Sequence, residues 1–290
     1  MTDAAPLLAG VIGWPVAHSR SPDIYAYWAE EKGLDLDYVR IPCSPTFDAF
    51  AKVVTGLKSA GFKSLNITIP HKEHALKVAT TRSAGAEKIG AANFLTFDGD
   101  HIHADNTDCA GIEGPLRHAF SASGHVSKPP AKAIVLGAGG AARAAIYTLS
   151  TLLCIETVFV TNRTEEKATR LAEEFAIEVL PWAACAEAMT GAHIIFNATS
   201  LGMVGHPDHD FLADELTEIF RSNPIVFDSV YVPLETNLLA AARAQGCRTI
   251  DGLSMLIGQA VPCFEHWTGV RPDVDGGVRG VLEKSLKGKL

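Results

Sequence analysis

Residues Val135-Leu136-Gly137-Ala138-Gly139-Gly140-Ala141-Ala142-Arg143 end a short apolar strand and open an alanine-rich helix, a succession that commits this stretch to a βαβ unit. Gly137 permits the tight turn out of the strand, and Gly139 lets the backbone approach a pyrophosphate. Ala142, in the third small position, allows the helix to pack closely on the strand. Unpaired N–H groups and the helix dipole favour an anion at that turn. The run therefore reads as a dinucleotide site.

One βαβ unit later, after Thr157-Val158-Phe159-Val160, the segment Thr161-Asn162-Arg163-Thr164 stands where an NAD-specific fold places Asp or Glu. No carboxylate waits there for a ribose. An arginine in its place can pair with a 2′-phosphate or stack on adenine, so the site reads as NADP-binding. Arg143 is a second candidate for that phosphate. The plainer reading makes both arginines solvated helix-end residues.

With 290 residues, 47% of them apolar, the chain can bury a sizeable core and supports two domains. No apolar run approaches the roughly 18 residues of a membrane span. Met1-Thr2-Asp3 is acidic rather than basic, so no signal peptide is read and a cytoplasmic location is expected. Cys43, Cys109, Cys154, Cys185, Cys247 and Cys263 are scattered, without Cys-x-x-Cys pairs or a histidine cluster at zinc spacing. Buried thiols are expected, no metal is assigned, and protein side chains are expected to handle any proton. A formal charge of −8 opposes nucleic-acid binding. The same field disfavours a phosphorylated ligand, so Lys72, Arg143 and Arg163 matter by placement rather than number.

From Leu7 to about Phe97, apolar strands (Leu8–Ile12, Asp37–Ile41, Ser64–Ile69) alternate with helical stretches (Pro22–Lys32, Phe47–Ser59, Glu73–Thr80), an α/β pattern. A hairpin follows, Asn93–Phe97 returning through His101–Ala104. A helix from about Asp108 leads into Ser121–Pro130, the most linker-like stretch. Strands at Ala133–Leu136, Thr157–Val160, His193–Asn197, Ile225–Asp228 and Cys247–Ile250 suit a doubly wound Rossmann-type sheet. Beyond Asp251-Gly252 the pattern is continuously helical, through Leu253–Trp267 and Pro272–Lys287, and these C-terminal helices are expected to return to the first domain. The reading is a two-domain α/β protein: an N-terminal substrate domain, 1–107, joined by 253–290, and a nucleotide domain, 108–252.

Several polar residues fall where strands give way to helices. Ser19 and Ser21, between the first strand and helix, suit a carboxylate or hydroxyl, although Ser21 can equally be a simple N-cap. Asn66 and Thr68 share one face of their strand, Ile67 and Ile69 the other. Lys72 follows in the strand-to-helix turn, a placement that suits proton transfer as well as an ordinary solvated lysine. Asn93 and Asp108 add hydrogen-bonding groups at turns, and Asp108 can also be read as a helix cap.

In order along the chain, Gly13-x-Pro15-x-x-His18-Ser19-x-Ser21-Pro22, Asn66-Ile67-Thr68-x-Pro70-x-Lys72, Asn106-Thr107-Asp108, Gly137-Ala138-Gly139-Gly140-Ala141, Asn162-Arg163-Thr164, Asn197-Ala198-Thr199-Ser200-x-Gly202-Met203, Tyr231-x-Pro233-x-x-Thr236-x-Leu238-Leu239 and Asp251-Gly252-Leu253-x-Met255-Leu256-x-x-Gln259-Ala260 resemble the shikimate dehydrogenase family over essentially the whole length. The resemblance implies NADPH-dependent, reversible reduction of 3-dehydroshikimate to shikimate. It gives Lys72 the acid–base role, with Asp108 orienting it. Ser19 and Ser21 would hold the substrate carboxylate, with Tyr231 bordering that pocket, while Asn66, Thr68, Asn93 and Gln259 bind ring hydroxyls. Gly137, Ala138, Gly139, Gly140 and Ala141 would hold the pyrophosphate, Asn162, Arg163 and Thr164 the 2′-phosphate and adenosine, and Thr199, Met203 and Gly252 the nicotinamide end.

Phe94, Ala104 and Asn237 depart from the usual family pattern, and the first two bear on substrate range. Quinate is the nearest alternative substrate; Ser21 rather than Thr, and Arg163, favour shikimate and NADP. A non-catalytic sensor is disfavoured by the presence of both Lys72 and Asp108, and the lysine-centred motif of a folate-type methylene dehydrogenase is absent. The expected partners are a small-molecule substrate and NADP, with no nucleic acid and no membrane; the resemblance leaves room for a homodimer.

Overall fold

The computed structural model describes residues 6–122, 131–209, 216–274 and 276–287. The chain divides into two compact units, Met1–Asp108 with Ile257–Leu290, and Cys109–Leu256. The linker-like stretch lies outside the described residues from 123 onward; Ser121 and Ala122 still belong to a helix. Among the described residues no helix is long and apolar enough to cross a membrane.

The first unit begins with β1 (Leu7–Gly13), α1 (Ser21–Lys32), β2 (Leu36–Pro42), α2 (Phe47–Ser59), β3 (Ser64–Ile67) and α3 (Lys72–Val78). It continues with β4 (Thr81–Arg82), α4 (Ala84–Ile89), β5 (Phe94–Asp98) and β6 (His101–Asp105). The sheet order is β2-β1-β3-β5-β6-β4. Strand β1 runs parallel to β2 and β3, whereas β5 is antiparallel to β3 and β6. Phe50, Val54, Leu65 and Leu95 are fully buried between this sheet and its helices.

Three sequence expectations are corrected here. Strand β3 stops at Ile67 rather than Ile69, because Pro70 has no N–H to extend a ladder. Ile69 is consequently 73% exposed instead of sharing an apolar face with Ile67. Elements β4 and α4 went unread because two and six residues are too few to show a period; a Ser83 cap on Ala86 N and left-handed Gly90 delimit α4.

The second unit holds most of α5 (Asp108–Ala122), then β7 (Lys132–Leu136), α6 (Gly140–Tyr147), β8 (Thr157–Thr161), α7 (Glu165–Phe175), β9 (Glu178–Val179) and α8 (Cys185–Met189). It closes with β10 (Ile194–Asn197), α9 (Leu216–Ile219), β11 (Ile225–Asp228), α10 (Asn237–Ala244), β12 (Arg248–Ile250) and the first turn of α11 (Gly252–Thr268). All six strands are parallel, in the order β12-β11-β10-β7-β8-β9. Ala133–Leu136 and Ile194–Asn197 are buried along their length, as strands covered on both faces must be. The chain leaves the sheet centre first towards β9 and then towards β12, so β7 and β10 flank a topological switch point.

From Ile257 the chain belongs to the first unit, ending in α12 (Gly276–Lys287). Helix α12 packs on α1; Arg20 donates to Ser285 Oγ at 2.9 Å, and Ser285 to Asp23 Oδ2 at 3.0 Å. Of the two stretches read as continuously helical after Gly252, the second starts at Gly276 rather than Pro272. Gly269, at φ 70°, ends α11, and the non-helical stretch after it is held where the Trp28 indole donates to Asp273 O at 3.1 Å. Pro272 thus lies in this strap and not in a helix.

Gly252 fits because it has no side chain: a Cβ there would lie 2.3 Å from Ser229 O. One at Gly139 would meet nothing within 4 Å. Gly252→Ala should therefore lower the urea midpoint by the equivalent of about 1–3 kcal/mol or more, while Gly139→Ala should leave it nearly unchanged.

Candidate functional site

In the first unit the polar groups gather beside the carboxyl ends of β1 and β3. Lys72 is the first residue of α3, where its carbonyl accepts from Ala92 N at 2.9 Å. An ammonium at that end of a helix faces the unfavourable pole of the peptide dipoles. Asp108 compensates, with Lys72 Nζ donating to its Oδ2 at 2.5 Å, and the two side chains are 18% and 7% exposed. Asp108 Oδ1 accepts from Asn93 Nδ2 at 2.9 Å. The Asp108 carboxylate is thus engaged by a cation and an amide.

Asn93 and Thr107 hold one another. Thr107 N donates to Asn93 Oδ1 at 2.7 Å, and Asn93 Nδ2 donates to Thr107 Oγ1 at 3.0 Å. Gln259, from α11, comes to 3.4 Å of both residues through Oε1. Lys72, Asn93, Asp108 and Gln259, far apart in sequence, therefore meet.

Asn66 forms a neighbouring group, its Oδ1 accepting from Tyr38 at 2.8 Å and Tyr25 at 3.2 Å, its Nδ2 donating to Cys263 Sγ at 3.3 Å. Burial pushes the Cys263 thiol up to about 11, and both phenols well above their ordinary value, so all three keep their protons at neutral pH. Ser19 Oγ lies 3.4 Å from Ser21 Oγ. Ser21 is the first residue of α1 and makes no capping bond; Arg20 occupies the cap. Arg40 clamps the Ser19 carbonyl through Nε at 3.0 Å and a terminal nitrogen at 2.7 Å. Thr68 follows β3, its methyl just 2.4 Å from where a Cβ on Gly13 would sit.

Sequence reasoning passed over Tyr25, Tyr38, Arg40, Thr107 and Cys263. A signal existed for three of them. Tyr38 and Arg40 are two apart on a strand and so share a face, and Cys263 follows Gln259 by one helical turn. Phe94 packs edge-on against His266 with ring centroids 5.6 Å apart, and Ala104 is buried in the core.

In the second unit, Gly137 adopts φ 108° at the end of β7, and a Cβ there would lie 3.0 Å from Ala198 O and from the Thr199 methyl. A groove of about 190 Å³ opens at this switch point, lined by Gly137, Ala138, Gly139, Asn162, Arg163 and Thr199 of the expected residues. Trp182, Ala198 and Ser200 line it as well, and no pattern marked Trp182 in advance. Gly140 and Ala141 begin α6 behind the groove, while Thr164, Met203 and Gly252 lie outside its lining. Tyr231 belongs to this unit, whereas the serines belong to the first.

Arg163 is exposed and has no ion-pair or hydrogen-bond partner among the described residues. Arg143, by contrast, pairs with Glu174 and lies over the Phe175 ring at 5.5 Å, so it is engaged within its own helix layer. Beneath the groove, Asn197 Oδ1 accepts from Thr199 N and Oγ1 at 3.0 and 2.7 Å, and Asn197 Nδ2 donates to Asp228 Oδ1 at 2.8 Å. Asp228 also accepts from Thr236 Oγ1 at 2.6 Å and Val230 N at 3.0 Å. Burial nonetheless raises its carboxyl to about 6.

A parallel sheet of this strand order, with a glycine turn and an unpaired arginine at its switch point, defines a dinucleotide-binding protein of the Rossmann class. Residues 11–95 match the shikimate dehydrogenase substrate binding domain, 122–204 the shikimate / quinate 5-dehydrogenase family, and 252–276 the shikimate 5′-dehydrogenase C-terminal domain. A shikimate dehydrogenase (NADP(+)) of Maricaulis maris is 43% identical over 273 residues, 93% of each chain. The crystal structure of the Thermus thermophilus shikimate 5-dehydrogenase in complex with NADP(H) and shikimate superposes with TM-score 0.79 at 34% identity, covering 96% of this chain and 99% of that one. A quinate dehydrogenase from Corynebacterium glutamicum in complex with NAD gives TM-score 0.83 at 29% identity, covering 97% and 99%. The chain belongs to the shikimate dehydrogenase family.

Asp228 makes a pH-dependent contribution to stability. Its carboxyl is raised from 3.8 unfolded to about 6 folded, so between those values the folded state binds more protons. That contribution is present in full below the unfolded value and is lost as pH rises through about 6. Urea melts from about pH 4 to 7 should show wild-type stability falling relative to Asp228→Asn; a flat difference would remove Asp228 from the titration.

Proposed function

We propose that this protein catalyses the reversible NADPH-dependent reduction of 3-dehydroshikimate to shikimate in aromatic amino-acid biosynthesis. The observation that carries this reading is the Lys72–Asp108 pair, closed at 2.5 Å and partly shielded from water among neutral hydrogen-bonding side chains. The first unit is accordingly the substrate domain and the second the NADP domain.

The groove suits the dinucleotide. Gly139 leaves open space where a side chain would intrude, and the eight-residue helix α6 points its free N–H groups from that turn. In our reading Gly137 to Ala141 hold the pyrophosphate. Arg163, exposed and unpaired among the described residues, takes the 2′-phosphate with Asn162 and Thr164 beside it. Thr199, Met203 and Gly252 serve the nicotinamide end. Bound NADPH supplies the hydride that reduces the C3 carbonyl carbon.

The protein's own side chains manage the charge that develops on the C3 oxygen. Lys72 donates a hydrogen bond to that oxygen, stabilises it as it becomes negative and delivers a proton to it; in the oxidative direction it takes the proton back. Asp108 holds the ammonium in position. Ser19 and Ser21 receive the carboxylate, and Asn66, Thr68, Asn93 and Gln259 the ring hydroxyls. Tyr231 is assigned to the carboxylate pocket on the resemblance alone. We place the enzyme in the cytoplasm, and light scattering on the purified chain distinguishes a monomer from the homodimer that the resemblance allows.

Initial rates at the NADPH absorbance band, with shikimate or quinate as substrate and NADP or NAD as acceptor, test the assignment. Fast turnover is expected with shikimate and NADP; preference for quinate or NAD would keep the chemistry and overturn the specificity. Lys72→Met should lower kcat by about 10²–10⁴-fold with KM for NADP nearly unchanged, and a near-normal kcat would require another acid. Arg163→Ala should raise KM for NADP roughly tenfold or more through loss of charge-assisted hydrogen bonds, leaving KM for NAD unaffected.

A further inference from the structure

Asn66 has its amide saturated on one side. A carbonyl oxygen offers two lone pairs, and Tyr38 and Tyr25 occupy Oδ1 at 2.8 and 3.2 Å. Of the two amide hydrogens, one is directed at Cys263 Sγ, 3.3 Å away. The opposite amide orientation is disfavoured, because the Cys263 thiol donates to Gln259 O at 3.5 Å within α11 and so presents a lone pair to Asn66. An oxygen turned towards that sulfur would face lone pair against lone pair. Both tyrosine rings are held by packing, with centroids 4.5 Å apart and Trp267 at 4.6 and 5.7 Å from them.

Tyr38 makes the shorter of the two bonds. It stands on β2, the edge strand of the first sheet, outside every motif of the family resemblance. We propose that Tyr38 is a positioning residue for substrate recognition: by occupying Asn66 Oδ1 it leaves Asn66 able only to donate, so the ligand group meeting Asn66 must present an acceptor oxygen. This rests on the assignment of Asn66 to the shikimate subsite. Tyr25 supplies the second donor and Cys263 fixes the other end of the amide.

The test is a double-mutant cycle on the intact enzyme. Tyr38→Phe keeps the ring and removes only the hydroxyl. KM for shikimate should rise about five- to tenfold, as for loss of a hydrogen bond to a buried acceptor, while kcat and KM for NADP stay within about twofold. On an Asn66→Ala background the same change should add little to KM, because Tyr38 acts mainly through Asn66. An unchanged KM in the single variant, or a rise of the same size on both backgrounds, overturns the proposal. If Tyr38→Phe does not fold, Cys263→Ala in the same cycle reads the other end of the amide, with the same two outcomes decisive. Wild-type protein that fails to turn over shikimate overturns the underlying assignment, and that failure is visible before any variant is made.

Discussion

Lys72 sits at the first residue of a helix with a carboxylate held beside it. The peptide dipoles of α3 oppose a cation there, and partial burial raises the cost of leaving it alone. Everything that surrounds the pair serves to hold Asp108 in place. Asn93 bonds the carboxylate, Thr107 bonds Asn93, and Asn106 Oδ1 accepts from Asp108 N at 3.1 Å. The β5–β6 hairpin is what brings Asn93 beside residues 106–108, because β5 starts just after Asn93, β6 ends just before Asn106, and Phe94 pairs with Asp105. A purely apolar core could match this stability; what the polar net adds is a single orientation for the Lys72 side chain, which the proposed proton transfer requires.

The second unit meets a different demand. Its groove requires backbone, not side chains, at the end of β7, and Gly137 meets the requirement by adopting a conformation that favours glycine while lying against Ala198. The polar relay from Asp228 through Asn197 to Thr199 stiffens the facing strand end. A carboxyl raised to about 6 by burial carries a desolvation cost that three hydrogen bonds only partly offset.

Much of this was legible in the sequence because the signals were local. A glycine turn between a buried strand and a helix, the absence of a carboxylate after β8, and Lys72 in a strand-to-helix turn each need only neighbouring residues to be read. The positions that escaped are those whose meaning is tertiary. Tyr38 and Arg40 look like ordinary residues of a half-buried strand, and their polar ends matter only because α1 and β3 pass alongside. Cys263 was read as one more buried thiol, since nothing nearby in sequence shows that an asparagine from β3 lies against its sulfur. Ile69 and Pro272 were misread for a simpler reason: alternation was carried up to the residue before a proline, and the last helix was begun at Pro272, four residues before it starts.

The strap and helices that complete the first unit come from the far side of the second in sequence. During synthesis the second unit is a continuous stretch that can fold once it emerges, whereas the first must wait with α1, β2 and their aromatic faces uncovered until α11 and α12 arrive. Gln259 and Cys263 reach their partners in that last step. The contacts that Gln259 and Cys263 add to the polar net are therefore made late, by the same event that covers Trp28 and Tyr25, and a nascent chain does not complete that net before its apolar surface is shielded.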